Sequence, residues 1–254
     1  MLMTVNQVVE DALLLARYGI AAAEAVVDLG AATLIGPFDF RASQSLSARW
    51  VQKQRTRFGI TVNVVDNSCI GAASPPYVFV QLNQTTLAEI LIWPVELPAA
   101  CRVVVNLEFA FLPFVGWSLV AQGCPVVVRQ WPAQARRAIN RAKGMLRDGH
   151  AIALSIEGKR SADGRLSSYK KGPSVLAIET QATIVPFVLR GARDLLPYGA
   201  WRLRAGHVEI EFLPAIATAG LTLSDRDALT AKLRSLAETH LCRDRYASTR
   251  TLDR

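Results

Sequence analysis

Residues 77–90 read YVFVQLNQTTLAEI, an apolar run that empties into an amide, two hydroxyls and a carboxylate. The β-branched and aromatic half has the length and composition of a buried strand. Thr86-Leu87-Ala88-Glu89 fits the S/T-x-x-E capping box, in which the hydroxyl and the carboxylate satisfy free backbone amides where a helix starts. A strand that empties into a helix is the repeating unit of an α/β sheet. Active sites in open sheets of this kind sit where strands end and loops begin. The stretch thus sets the fold class and raises a chemical question. It is an active site, an active site that has lost its base, or a helix cap and nothing more.

Six further runs of the same character lie along the chain: ITVNVV (60–65), CRVVVN (101–106), PVVVR (125–129), AIALSI (151–156), ATIVPFVL (182–189) and HVEIEF (207–212). Helical segments separate several of them. Residues 43–58 read as a basic amphipathic helix carrying Arg49, Lys53, Arg55 and Arg57. Residues 132–149, PAQARRAINRAKGMLRDG, open on a proline that a first helical turn tolerates and close on a C-cap glycine. A last helix is expected over 224–239, where SDRD supplies an N-cap and first-turn acids. The pattern predicts an α/β domain over 43–242 with a mainly parallel or mixed sheet and flanking helices, then a frayed tail over 243–254.

Residues 12–40, before this domain, are the most apolar part of the 254-residue chain, interrupted by Arg17, Glu24 and Asp28. Their longest charge-free run, 29–38, is far shorter than the roughly 18–20 residues of a spanning helix. Without a positive region after Met1, the segment does not read as a secretory signal either. Residues 1–42 are expected to form an apolar helical hairpin that packs on the domain or dips into one leaflet of a membrane.

The charge is unevenly placed. The chain carries +8 in all, yet residues 1–40 hold one Arg and five acids, and residues 129–171 hold eleven basic residues and three acids. Such a concentration attracts phosphate, whether in nucleic acid, anionic lipid or a small substrate. Nucleic acid is disfavoured because no aromatic–basic interleaving or nucleic-acid motif is present. Four cysteines without a CxxC pair and three scattered histidines point to no metal site and no disulfide framework, and to a reducing compartment.

The loop after AIALSI, EGKRSADGRLSSYKKG (157–172), sets a glycine among clustered cations, which lets backbone amides and a guanidinium converge on one oxyanion. At this point the sequence resembles the glycerolipid acyltransferases of the lysophosphatidic acid acyltransferase type. Their phosphate-binding block runs Glu-Gly-Thr-Arg-Ser, Gly-Arg-Leu, Phe-Lys-Lys-Gly and Ile-Val-Pro. Here these stand as EGKRS, GRL, YKKG and Ile184-Val185-Pro186. LEFAFLPFVGW (107–117) resembles the acceptor-site block, with Pro113 and Gly116 in place, although Asn106-Leu107-Glu108 lacks the basic residue usual before the Glu. VFVQLNQTTLAE holds the position of the motif in which His and Asp are separated by four residues, and Gln84 and Glu89 stand where that His and Asp would be.

The resemblance covers roughly residues 45–240 and implies an acyltransferase domain preceded by a membrane-contacting two-helix element. It would move a fatty acyl group from a CoA or acyl-carrier-protein thioester, a co-substrate with no further cofactor, to a lysophospholipid-like or other acceptor. The implied location is cytoplasmic, on the inner face of a membrane. Glu157, Gly158, Lys159 and Arg160 would hold an anionic head group, Arg160 foremost, while Pro113 and Gly116 belong to the acceptor block. Gln84 and Glu89 are the candidate catalytic pair. A positioned base contributes about 10²–10⁴-fold to proton removal, and Gln has no titratable nitrogen near neutral pH. Glu89 is therefore expected to orient Gln84 or to take the proton itself, on a hydroxyl or an amine acceptor. The alternative is an inactive lipid-binding homologue with a regulatory or scaffolding role.

Overall fold

The computed structural model describes residues 5–70, 76–98, 101–128, 130–161 and 163–249. Every strand-like run becomes a strand: β1 (Ile60–Asp66), β2 (Tyr77–Gln81), β3 (Cys101–Val103), β4 (Val105–Asn106), β5 (Val126–Val127), β6 (Ala151–Ser155), β7 (Thr183–Arg190) and β8 (Gly206–Phe212). The CRVVVN run is divided. Its first half stays in the main sheet, and its second half turns out of it to pair with β5. Arg129, at the end of the fifth run, lies outside the described residues.

The main sheet has the order β1-β8-β7-β2-β6-β3. All neighbours are parallel except β7 and β8, so the sheet is mixed as expected. The central strands are apolar on both faces because both faces are covered. Val78, Val80, Ile152, Ile184 and Val188 pack under α5 (Pro132–Arg147), α6 (Gly172–Thr180) and α8 (Arg226–Thr249). Phe79, Ala153, Phe187 and Ile210 meet the opposite layer, which includes Val51 and Phe58 of α2 (Phe40–Phe58), Trp93, and Leu195 of the one-turn α7 (Ala192–Leu195). The chain places β6 on one side of β2 and then crosses to place β7 on the other. This reversal opens a crevice at the carboxyl end of β2.

The N-terminal hairpin is built differently from the expectation. Residues Val5–Ile35 form one helix, α1, and its antiparallel partner is α2, which sequence reasoning had assigned to the domain proper. Asp39 caps α2 by accepting from the Ala42 amide at 3.0 Å, and Gly59 ends it in the left-handed region. Over Val9–Ile35, α1 is long and apolar enough to cross a membrane, contrary to the reading of residues 12–40. Glu24 and Asp28, which had argued against that, are occupied on α2: Glu24 accepts from Arg57 and Gln54, Asp28 from Arg49 and Lys53. The tail also differs, because α8 continues to Thr249. Only residues 250–254 of the expected frayed segment fall outside the description.

Asp28 and Glu24 carry most of the polar contact between α1 and α2, and Asp28 is the more deeply buried of the two. The Asp28 side chain is 1% exposed, whereas those of Arg49 and Lys53 are 55% and 40% exposed and can turn to water. Asp28→Ala is therefore expected to cost about 1–3 kcal/mol rather than the larger penalty of stranding a buried charge. Urea unfolding measures this, and an unchanged midpoint would show that α1 docks through its apolar face alone.

Candidate functional site

Parallel pairing of β2 with β6 sets Gln81 directly opposite Ser155, so the two chemically unusual loops leave the sheet side by side. The loops are tied together. The Gln84 amide donates to Glu157 Oε2 at 2.5 Å, and the Ser161 amide donates to the Gln84 carbonyl at 2.7 Å. Glu157 Oε1 also accepts from the Ser167 amide at 2.5 Å, and Tyr169 donates its hydroxyl proton to the Leu82 carbonyl at 2.6 Å. Glu157 is 1% exposed, and burial raises its pKa. Its carboxyl is thus a brace between loops, which differs from the ligand-holding role expected of it. Gly158 follows in the left-handed region at φ 70°, where a glycine is at ease and the chain can turn away from β6.

The opening stretch is also cross-braced. Asn83 behaves like a fragment of strand: its Nδ2 donates to the Leu189 carbonyl and its Oδ1 accepts from the Leu189 amide. Leu87–Leu91 form a 3₁₀ helix, and the capping box is present with Thr86 and Glu89. Glu89 is 3% exposed. Its Oε1 accepts from the Thr85 amide at 2.6 Å, the Thr86 amide at 3.1 Å and the Thr85 hydroxyl at 3.2 Å, while Oε2 accepts from Gln81 Nε2 at 2.7 Å. The carboxylate therefore holds Gln81 and the cap, and it makes no hydrogen bond to the Gln84 side chain. The expectation that Glu89 orients Gln84 fails, because the residue's reach is used up within its own turn.

A cavity of about 800 Å³ opens over this junction. Gln81, Gln84, Glu89, Ser155, Glu157, Gly158, Lys159 and Lys170 line its polar end at the carboxyl edges of β2 and β6. Ser47, Ala48 and Val51 of α2, together with Ile90, Trp93, Phe109, Leu119 and Ile139, supply an apolar wall. Lys159 and Lys170 are exposed, and neither is paired with a carboxylate among the described residues. None of the three histidines lines the cavity, and no cluster of metal-ligating side chains occurs among the described residues.

Three sequence candidates are placed otherwise than expected. The Arg160 guanidinium lies 5.4 Å over the Tyr198 ring and outside the cavity wall, so the cations that face the cavity are Lys159 and Lys170. Pro113 and Gly116 are also absent from the wall. They shape the turn between α3 (Leu107–Ala110) and α4 (Val115–Ala121), where a Cβ on Gly116 would stand 2.2 Å from the Phe109 carbonyl oxygen. Their effect on the cavity is indirect: the tight turn presents Phe109, Val115 and Leu119 to it.

Two features escaped the sequence reading. Gln81 was counted as the end of a strand, although a polar side chain in an otherwise buried run is the informative kind of exception. The inner face of α2 was hidden by the Arg and Lys on its outer face, yet the small residues Ser47 and Ala48 mark where a groove can run.

Burial holds the Glu89 carboxyl up at about 7, against 4.5 for the free group, despite four hydrogen bonds that favour its ionised form. Because the folded value is the higher one, the folded chain keeps the extra proton between those limits. The contribution to stability is full below the lower value and is lost as the pH rises through the higher one. In Glu89→Gln the side-chain oxygen can still accept from the Thr amides, while Gln81 Nε2 stays turned to the Asn83 carbonyl. Compared with wild type, the variant is expected to lose less stability between about pH 5 and about pH 7.5, as read by denaturant titrations. Parallel profiles would show that Glu89 does not titrate in that range.

The family model described as Acyltransferase matches residues 73–190, which contain both loops. The chain is 28% identical over 188 residues to the human 1-acyl-sn-glycerol-3-phosphate acyltransferase beta, covering 74% of this chain and 67% of that one. It is 27% identical over 162 residues to the human alpha protein, covering 63% and 57% respectively. Against a chloroplastic 1-acyl-sn-glycerol-3-phosphate acyltransferase of Arabidopsis thaliana it is 26% identical over 139 residues, covering 55% of this chain and 38% of that one. The chain thus spans less than two thirds of the length of several such relatives. Among solved structures, the 1-acyl-sn-glycerophosphate acyltransferase PlsC of Thermotoga maritima superposes with a TM-score of 0.69 at 21% identity, over 90% of this chain and 94% of that one, which establishes the shared fold.

Proposed function

We propose that the chain is an acyltransferase of the glycerolipid type, and that it moves a fatty acyl group from a thioester to a lysophospholipid-like acceptor at a membrane surface. The carrying observation is this cavity, whose apolar wall suits an acyl chain and whose polar end holds two lysines that have no carboxylate partner among the described residues. The thioester carbonyl lies at the junction of the two halves, with the chain along α2 and the α3–α4 turn. Lys159 and Lys170 attract the phosphate of the acceptor or of the carrier, CoA or acyl-carrier protein. Gln84 can hold the thioester or the nucleophile by hydrogen bonds but cannot accept a proton.

Membrane contact rests on the outer surface. The turn at Gly36 lies against the end of α4, where a Cβ would stand 2.8 Å from the Ala121 carbonyl carbon. Leu34, Phe38, Phe111, Trp117 and Val120 are all exposed around this junction, with Phe38 at 90% and Phe111 at 73%. Large apolar side chains crowded at one end of a protein suit the headgroup boundary of a bilayer. We place the protein peripherally, on the inner face of a membrane.

A second reading has an observation in its favour. The lining groups include no histidine, and the Glu89 carboxylate is fully engaged. A lipid-binding protein without catalysis would have this composition, and turnover decides between the two.

Purified protein given palmitoyl-CoA or palmitoyl-carrier protein and lysophosphatidic acid on vesicles is expected to release thiol and form a diacyl product. Chain binding without thiol release from either donor, over a panel of acceptors, would establish the non-catalytic reading. Lys159→Ala with Lys170→Ala is expected to raise the KM for a phosphate-bearing acceptor by about tenfold or more, as the loss of charge-assisted contacts predicts. Ala48→Trp, which intrudes on the apolar wall, is expected to reduce kcat/KM for the longest acyl chains by about tenfold while sparing short ones. Phe38→Asp with Phe111→Asp is expected to lower co-flotation with vesicles.

A further inference from the structure

Beside the Lys159 and Lys170 ammoniums, the cavity lining holds buried oxygens that have no partner, three of them amide oxygens that can only accept. Four side-chain atoms of its lining residues are buried without a hydrogen-bond partner, and all four are oxygens: Gln44 Oε1, Gln81 Oε1, Gln84 Oε1 and Ser155 Oγ. The Gln81 amide cannot be turned around. Its Nε2 donates to Glu89 Oε2 at 2.7 Å and to the Asn83 carbonyl at 2.8 Å, and both of those partners accept in the ionised site. Its oxygen is therefore left without a partner, on a residue that is 0% exposed. The Nε2 contact with the carboxylate also polarises that oxygen. Ser155 stands directly opposite Gln81 across the strand pair. Buried acceptors left unpaired are costly, so a ligand that supplies several N–H donors here is favoured.

Resting on the acyl-transfer reading above, we propose that the acceptor nucleophile of this site is a primary amine carried on a lipid-like molecule. An alcohol brings one O–H to these oxygens and must lose that proton near the transition state, for which the wall holds no free base. A neutral amine brings two N–H groups and attacks through its lone pair with its protons still in place. The C–N bond forms at the thioester carbon, and the N–H groups, now carrying positive charge, point at Gln81 Oε1 and Gln84 Oε1. The C–S bond then breaks, and the nitrogen gives up one proton to the leaving thiolate. The products are an amide and a thiol, with no other reactant required. Two amide oxygens that could not serve as a base for an alcohol can accept hydrogen bonds from this cationic nitrogen.

The test compares two acceptors that differ in one group: lysophosphatidic acid and its 2-amino-2-deoxy analogue, each on phosphatidylcholine vesicles with palmitoyl-CoA or palmitoyl-carrier protein. Thiol release and product mass are followed. The expected result is transfer to the amine at least tenfold faster than to the alcohol, with a rate that rises with pH as the neutral amine becomes more abundant. Equal rates, or faster transfer to the alcohol, would overturn this inference and leave the acyl-transfer reading standing. No thiol release with either acceptor or donor would overturn both. Gln81→Met is expected to lower amine transfer at least tenfold with little change in the KM for the thioester. If that variant does not fold, Gln84→Met carries the same expectation, and amine transfer at the wild-type rate by a folded variant would overturn the assignment.

Discussion

The Glu157 carboxyl is the constraint on which the rest of the site depends. It is buried at the end of β6 and accepts one amide from the loop after β2 and another from its own loop ten residues on. Two loops that would otherwise move independently become one rim. The arrangement works because β2 and β6 are parallel neighbours in register, so their carboxyl ends stop at the same height. Burying a carboxyl is unfavourable unless its oxygens are satisfied, and both oxygens are. Gly158 and Lys159 are thereby kept at the rim of the cavity, while Arg160 turns aside to the Tyr198 ring.

The same logic explains the uneven charge. The N-terminal 40 residues are net acidic, which suggests repulsion from an anionic membrane. Glu24 and Asp28, however, are spent on Gln54, Arg57, Arg49 and Lys53 of α2. Asp11 is paired with Arg202. The acids fasten a long apolar helix to the domain by its inner side and leave Leu13, Leu15, Val27 and Leu34 exposed on the outside. An acidic segment can in this way present a largely apolar surface, on which Glu10 and Arg17 are the exposed charges of α1.

What was legible in the sequence were features whose signal is local. Seven apolar runs bounded by turn residues all became strands; the central ones are unbroken because a strand buried on both faces needs apolar composition throughout, while the edge strand β1 is largely exposed. The capping box was legible for the same reason, since its two residues meet within one turn. Features that depend on distant partners were not. Nothing near Arg160 announces that Tyr198 will draw its guanidinium away from the opening. Nothing near Pro113 and Gly116 shows that their task is to bend α3 over the start of α4. Gln81 was overlooked because its partner, Glu89, lies eight residues on and across a loop. The second arm of the hairpin was misplaced because its basic outer face resembles that of any solvated helix.

Gln84 and Glu89 occupy positions that the family resemblance links as base and orienting acid, but the geometry separates their tasks. The Glu89 side chain reaches back to the Thr85 and Thr86 amides and forward to Gln81, a span that ties the strand end to the 3₁₀ turn. Having closed that network, the carboxylate has no contact to offer Gln84. Gln84 is fixed instead through its backbone, by Glu157 on one side and Ser161 on the other. Its amide is therefore held at the cavity wall without being tuned by an acid. A residue that only needs to present a hydrogen-bonding oxygen requires no such tuning, whereas a histidine base depends on it for its tautomer and basicity. The exchange at the two positions is thus chemically coherent. Once the acid is committed to the fold, an amide is a residue that works there unaided.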